Sequence, residues 1–222
     1  MTMIDIKENI IYQDQYLIAI NKPSGVLSQS DKNNEFSLKE SIEGLLKHEV
    51  FILNRIDRPV SGIIIYAKSK KSAAKLTPAI KKAEKKYIAI VEDSPPKDKD
   101  KLVDIIIKKG NKSIMTEDEI KGQTALLEYN LIGNGINYYY IDISLITGRF
   151  HQIRAQLSNI GCKIMGDVKY GARRGLKDRS IGLHAYKVSF HHPFTNKEIS
   201  LNAKFPESPI WNDVNSKMNV EK

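Results

Sequence analysis

Hydrophobic residues along this chain come in short bursts broken by turn formers, and no single period is kept for long. Tyr16-Leu17-Ile18-Ala19-Ile20 is an apolar run of strand length, stopped by Asn21-Lys22-Pro23-Ser24-Gly25. Ser37 and Glu40 have capping-box spacing, and Leu38, Ile42, Leu45 and Leu46 behind them predict an amphipathic helix. Phe51-Ile52-Leu53 and Ile63 to Ala67 predict buried strand segments around the polar stretch Asn54 to Gly62. Lys70 to Leu76 predicts a helix, and Thr77-Pro78, an N-cap followed by a first helical residue, predicts a second short one after it. Lys86 to Glu92 predicts a strand, and the charged, proline-containing stretch Ser94 to Lys101 is the only one with the character of a linker.

Farther on, Ile141, Ile143 and Leu145 alternate with Asp142 and Ser144, the pattern of a strand with one wet face. Thr147-Gly148-Arg149 then turns the chain into a helix with the apolar stripe Phe150, Ile153, Leu157 and Ile160, ended by Gly161. His184 to Phe190 and Glu198 to Ala203 predict further strands, and Trp211 to Lys222 a flexible tail. Strands in runs with irregularly interspersed helices predict an α+β fold rather than regular βαβ repetition.

Composition narrows the function. At 222 residues the chain is long enough for its own core. Thirty-five Lys and Arg against 26 Asp and Glu leave a net charge of +9, which suits a polyanionic partner but also suits plain solubility. The lone Cys162 excludes an internal disulfide framework and a thiolate metal cage. Met1 to Ile11 lacks the basic start and long apolar stretch of a signal peptide, and no apolar run approaches membrane-spanning length. The expectation is a cytoplasmic protein.

Two segments place polar residues where the pattern expects apolar ones. Asn54-Arg55-Ile56-Asp57-Arg58-Pro59-Val60-Ser61-Gly62 sets two Arg and an Asp between buried strands, a local conflict of the kind found at functional sites, although its residues are also ordinary turn formers. In Thr147 to Arg154, Arg149 stands at the mouth of a helix, and His151 and Arg154 share a face opposite the apolar stripe. A basic face at a helix start suits phosphate, and equally suits water. Gly166-Asp167 and Tyr170-Gly171 say only "turn", and the spacing of His184, His191 and His192 argues against a metal site.

Taken in order, these stretches resemble the RluA-type RNA pseudouridine synthases. The resemblance runs through Ile11 to Asp14, Asn21 to Gly25, the core Arg55-Ile56-Asp57 with Ser61-Gly62, and Lys85 to Val91. It continues through Lys121 to Ala125, Thr147 to Arg154, Gly166-Asp167, Tyr170-Gly171, Leu183 to Ala185 and His192-Pro193. Asn54 and Val60 depart from the His and Thr usual in that family. The resemblance implies a mixed, largely antiparallel central sheet flanked by helices and loops, with the active site in a cleft across it. The expected organisation is one catalytic domain over residues 1–222 with its core at about 10–209, and no separate N-terminal RNA-binding domain.

The reaction so implied breaks the N-glycosidic bond of a uridine, turns the uracil and rejoins it through C5, with no redox change and no group donor. No cofactor and no metal are therefore expected. The resemblance makes Asp57 the catalytic carboxylate, by attack on the ribose, attack on the base, or a glycal route. It makes Arg149 the cation that keeps Asp57 ionised, and sets Tyr87 against the uracil, a position that a core-filling tyrosine would also occupy. Arg55 is the candidate to fill the space left by the extruded base, and Arg58, His151 and Arg154 are candidates for RNA contacts. The expected partner is ribosomal RNA of the large subunit or transfer RNA, with no membrane or obligate protein partner and the protein a monomer. A non-catalytic RNA-binding or ribosome-assembly module is the competing reading, and a nuclease holding metal on Asp57 and Asp167 a more distant one.

Overall fold

The computed structural model describes residues 6–30 and 35–220. In chain order its elements are β1 (Ile10–Gln13), β2 (Leu17–Lys22), α1 (Leu38–Leu46), β3 (Phe51–Ile52), β4 (Ser61–Ala67), α2 (Lys70–Lys82), β5 (Glu84–Val91) and β6 (Lys99–Lys109). There follow β7 (Lys112–Met115), β8 (Gln123–Asn134), β9 (Tyr139–Leu145), α3 (Gln152–Asn159), a 3-10 turn at Val168–Tyr170, β10 (Leu183–His191), β11 (Glu198–Asn202) and α4 (Pro209–Val220). The fold is α+β, as the patterning predicts, and its strands are mostly antiparallel, as the resemblance implies. The chain forms two compact units, Met1–Glu84 with Ala185–Lys204, and Lys85–His184 with Phe205–Lys222.

The first unit is built on β4, whose seven residues are all buried. Its sheet order is β1-β2-β4-β10, with β11 added to β10 and the short β3 to one end of β4. Alternate residues explain why β4 reads as an unbroken apolar run: Leu17, Ala19, Ile63 and Ile65 pack with Leu76 and Ile80 of α2, whereas Ile18, Ile20, Ile64 and Tyr66 pack with Leu38 and Ile42 of α1. Each buried Leu or Ile among them contributes about 1.5–3 kcal/mol by leaving water. The glutamate arm of the capping box forms, the Ser37 N–H donating to Glu40 at 2.7 Å.

One helix stands where two were expected. α2 runs continuously through Pro78. Proline cannot donate to the carbonyl of Ala74, but Ala74 and Pro78 lie on the exposed face, where water can take that bond, while Leu76 and Ile80 anchor the helix on both sides.

The second unit has the strand order β5-β9-β8-β6-β7, antiparallel at every step. The patterning predicts no element over residues 102–134, yet three strands cover most of that stretch. Their signal was present: Ala125, Leu127 and Tyr129 are buried and alternate with wetter neighbours. Gly110, at φ +60°, turns the chain between Lys109 and Lys112 in a two-residue hairpin. The expected linker is no boundary, since β6 begins at Lys99 and the whole stretch lies within this unit.

The expected tail is also corrected. Residues 209–220 form α4, with Trp211 and Val214 buried and Trp211 against the rings of His184 and Phe205. Ser208 before Pro209 is an N-cap and first-turn proline, a start signal overlooked because the helix itself is poor in strong helix formers. Residues 221–222 of that expected tail lie outside the described residues.

Candidate active site

In the first unit the polar stretch between β3 and β4 is a pinned loop. Asn54 acts as a strand mimic, donating from its amide to the Ile63 carbonyl at 3.1 Å and accepting from the Ile65 N–H at 2.7 Å. Ile56 is buried, and its carbonyl accepts from the Ser28 hydroxyl at 3.0 Å. The Val60 N–H closes a turn on the Asp57 carbonyl at 3.0 Å, and the Gly25 N–H reaches the Arg58 carbonyl at 2.8 Å. Gly62 has φ +116°, and a Cβ there would meet the Ala185 carbonyl oxygen at 2.3 Å, so only glycine permits this approach of β4 to β10. The loop therefore holds Asp57 half-buried between an exposed Arg55 and an exposed Arg58.

Arg58 is engaged within the unit, its Nε donating to the Gly25 carbonyl at 2.9 Å and its Nη2 lying 2.9 Å from Glu35 Oε2. Beneath the loop lies Lys22, a fully buried lysine to which the sequence reading gave no role. Its Nζ donates to the carbonyls of Pro23, Val26 and Arg58 at 3.0, 2.9 and 3.2 Å. Burial pulls the Lys22 pKa down to about 7, while the charge of Asp57 pushes it up and that of Arg58 pushes it down. Its signals in the sequence are a charge at the end of an apolar strand and a place in the Asn21 to Gly25 stretch.

In the second unit a relay of side chains fixes the turn after β9. The Leu126 N–H donates to Thr147 Oγ1 at 2.7 Å, Thr147 Oγ1 donates to Gln152 Oε1 at 2.8 Å, and the Arg149 N–H donates to the same oxygen at 3.0 Å. Gln152 passes the chain to the fully buried Gln156, which donates to Asp104 at 2.6 Å. Arg149 is exposed, and its Nε donates to the Thr124 carbonyl at 3.0 Å. His151 caps α3 in the left-handed region at φ 50°, with Nδ1 3.0 Å from the Tyr170 hydroxyl. Tyr87 is buried on β5, opposite Ile143 of β9.

Two placements differ from expectation. Arg154 does not share an open face with His151: its side chain is 5% exposed and grips Asp167 through Nε and Nη2 at 2.6 and 2.8 Å. Both Asp167 oxygens are thereby taken, so neither residue of this pair is set to meet phosphate or metal. Phe150, expected in the apolar stripe with Ile153 and Leu157, is 38% exposed. Cys162 is buried, which pushes its thiol up to about 11, well away from a reactive thiolate. Among the described residues no cluster of His, Cys, Asp and Glu is arranged to hold a metal ion.

Both segments, the Asp57 loop and the Arg149 turn, fall inside one match: the model of the family described as RNA pseudouridylate synthase covers residues 16–159. The chain belongs to the RNA pseudouridylate synthase family. It is 32% identical over 207 residues to the ribosomal large subunit pseudouridine synthase C of Rickettsia bellii, covering 90% of this chain and 69% of that one. It is 30% identical over 229 residues to the tRNA pseudouridine synthase C of Vibrio cholerae, covering 91% and 92%. The solved structure of human RNA pseudouridylate synthase domain containing 4 has the same fold, with a TM-score of 0.75 at 22% identity over 96% of this chain and 94% of that one. The activity of this family member is isomerisation of uridine in RNA to pseudouridine, with RNA as its substrate. No helix among the described residues is long and apolar enough to cross a membrane.

Proposed function

We propose that Asp57 is the carboxylate that carries the isomerisation, that Tyr87 holds the uracil while it turns, and that Arg149 supplies the positive charge the reacting carboxylate requires. One observation carries the reading most directly. Asp57 is half-buried on a loop tied down at Asn54, Ile56 and Arg58, with the Lys22 ammonium near enough to feel its charge. All routes for this reaction need an ionised carboxylate, and Arg149 is the cation assigned to it. Arg55, exposed two residues away, would fill the stack vacated by the target base, since a planar guanidinium can lie where a base lay.

The substrate is a structured RNA, ribosomal RNA of the large subunit or transfer RNA, the two classes in the names of the relatives above. Pseudouridine mapping of total RNA from cells with and without the gene assigns it. Asp57→Asn should release no tritium from RNA labelled at uridine C5 while binding that RNA as the native protein does. Full release by this variant would remove Asp57 from the chemistry.

A further inference from the structure

We propose that Phe150, with Lys108 and Lys121 beside it, is a stacking subsite for one base of the bound RNA strand other than the target uridine. The inference rests on RNA being the substrate and adds where a flanking nucleotide sits.

The apolar pattern would bury Phe150, yet its ring stands at the surface of the second unit. One face is backed by the His151 ring, nearly parallel at 18° with centroids 3.9 Å apart. His151 sits in left-handed backbone at φ 50°, a conformation uncommon for a residue other than glycine. The Phe150 carbonyl accepts from the Ser113 hydroxyl, which ties the platform to β7. Lys108 Nζ lies over the Phe150 ring, 4.8 Å from its centre, so a stacking base takes the place of this flexible side chain, whose ammonium is then free to swing to the phosphate.

Beside the ring is a cavity of about 340 Å³, lined also by Ile106, Ile107, Lys108, Lys121, Gln123 and Arg149. That volume lies within the roughly 300–1,000 Å³ usual for small-molecule sites. The lining carries three cations and no carboxylate; Lys121 also pairs with Asp118 at 3.2 Å, outside the lining. An exposed, rigidly backed aromatic ring among cations matches a base and its phosphate: the base supplies a π-face and the phosphate the negative charge. Stacking needs no particular base edge, so the subsite contributes affinity and register rather than base identity.

The test uses the full chain and a short single-stranded oligouridylate carrying one internal 2-aminopurine, whose fluorescence falls when it stacks. The native protein should bind it with quenching. Phe150→Ala should weaken binding about 5- to 150-fold, the equivalent of the roughly 1–3 kcal/mol per stacked base. Phe150→Leu, which keeps an apolar side chain against His151, should lose the quench, and Phe150→Tyr should restore it. Native-like binding and quenching by both the Ala and Leu variants would overturn the subsite, as would a native protein that never quenches the probe. Asp57→Asn should quench like the native protein; tritium release reports the catalytic assignment and the quench reports the subsite, so each can fail while the other stands.

Discussion

Arg55 and Arg154 belong to the two segments that carry the family's motifs, and they end in opposite surroundings. Arg55 belongs to a loop whose backbone is pinned at Asn54 and Ile56, and it is left exposed two residues from Asp57. Arg154 is folded under α3 onto Asp167, in a pair that the Tyr170 ring also covers at 5.0 Å. In the first unit one buried ionisable group is a lysine capped by carbonyls, and in the second one is an arginine matched by a carboxylate. Both buried groups hold a loop in place and leave a neighbouring arginine exposed. An arginine in a nucleic-acid-modifying motif is therefore as readily a strut as a contact.

The largest effect should come from the buried pair. Asp167→Ala strands the Arg154 charge away from water, and removing one partner of such a pair typically costs about 3–5 kcal/mol. Urea unfolding measures this, and a loss below about 1 kcal/mol would mean that Arg154 finds water or another partner and is no strut.

Lys22→Met should cost about 1–3 kcal/mol, because carbonyls of Pro23, Val26 and Arg58 lose their donor. It should also change the pH profile of stability. With the native Lys22 pKa near 7 and an ordinary value of 10.5 when unfolded, the unfolded chain binds more protons between those values. Stability of the native protein should therefore rise across that window, by at most about 1.4 kcal/mol per pH unit from this group. The Met variant should lack that component, and identical pH profiles for the two proteins would show that Lys22 keeps an ordinary pKa.

The smallest effect on stability should come from Arg55→Ala, within about 0.5 kcal/mol as for other exposed positions. The same variant should lower turnover on structured RNA while sparing an unstructured strand, where no base needs extruding. Equal turnover on structured RNA would deny Arg55 its role in the vacated stack and would make the comparison with Arg154 one of burial alone.

Local chemistry was legible wherever neighbours in sequence are also neighbours in space. The Ser37–Glu40 capping box, the β2 and β4 runs and the closure of α3 at Gly161 needed only spacing and turn residues. The Asp57 loop and the Arg149 turn stood out locally only as polar interruptions that ordinary turns would also produce, and the resemblance to the family gave them roles. Pro78 misled because its cost depends on whether the orphaned carbonyl faces water, which periodicity does not state. The strands of residues 99–134 were missed although they alternate, because charged residues punctuate them and one face of each is wet.

By itself the sequence determined the fold class, the family and the order of the motifs, since these follow from periodicity, turn chemistry and residue identity. Tertiary structure alone decided what each charged or aromatic side chain meets. Lys22 finds the carbonyl of Arg58, Arg154 finds Asp167, and Phe150 loses the core and gains Lys108. The physical reason is that a charge becomes strut or contact according to its desolvation and its partner. Both are set by chain segments that come together only when the sheet and helices have packed.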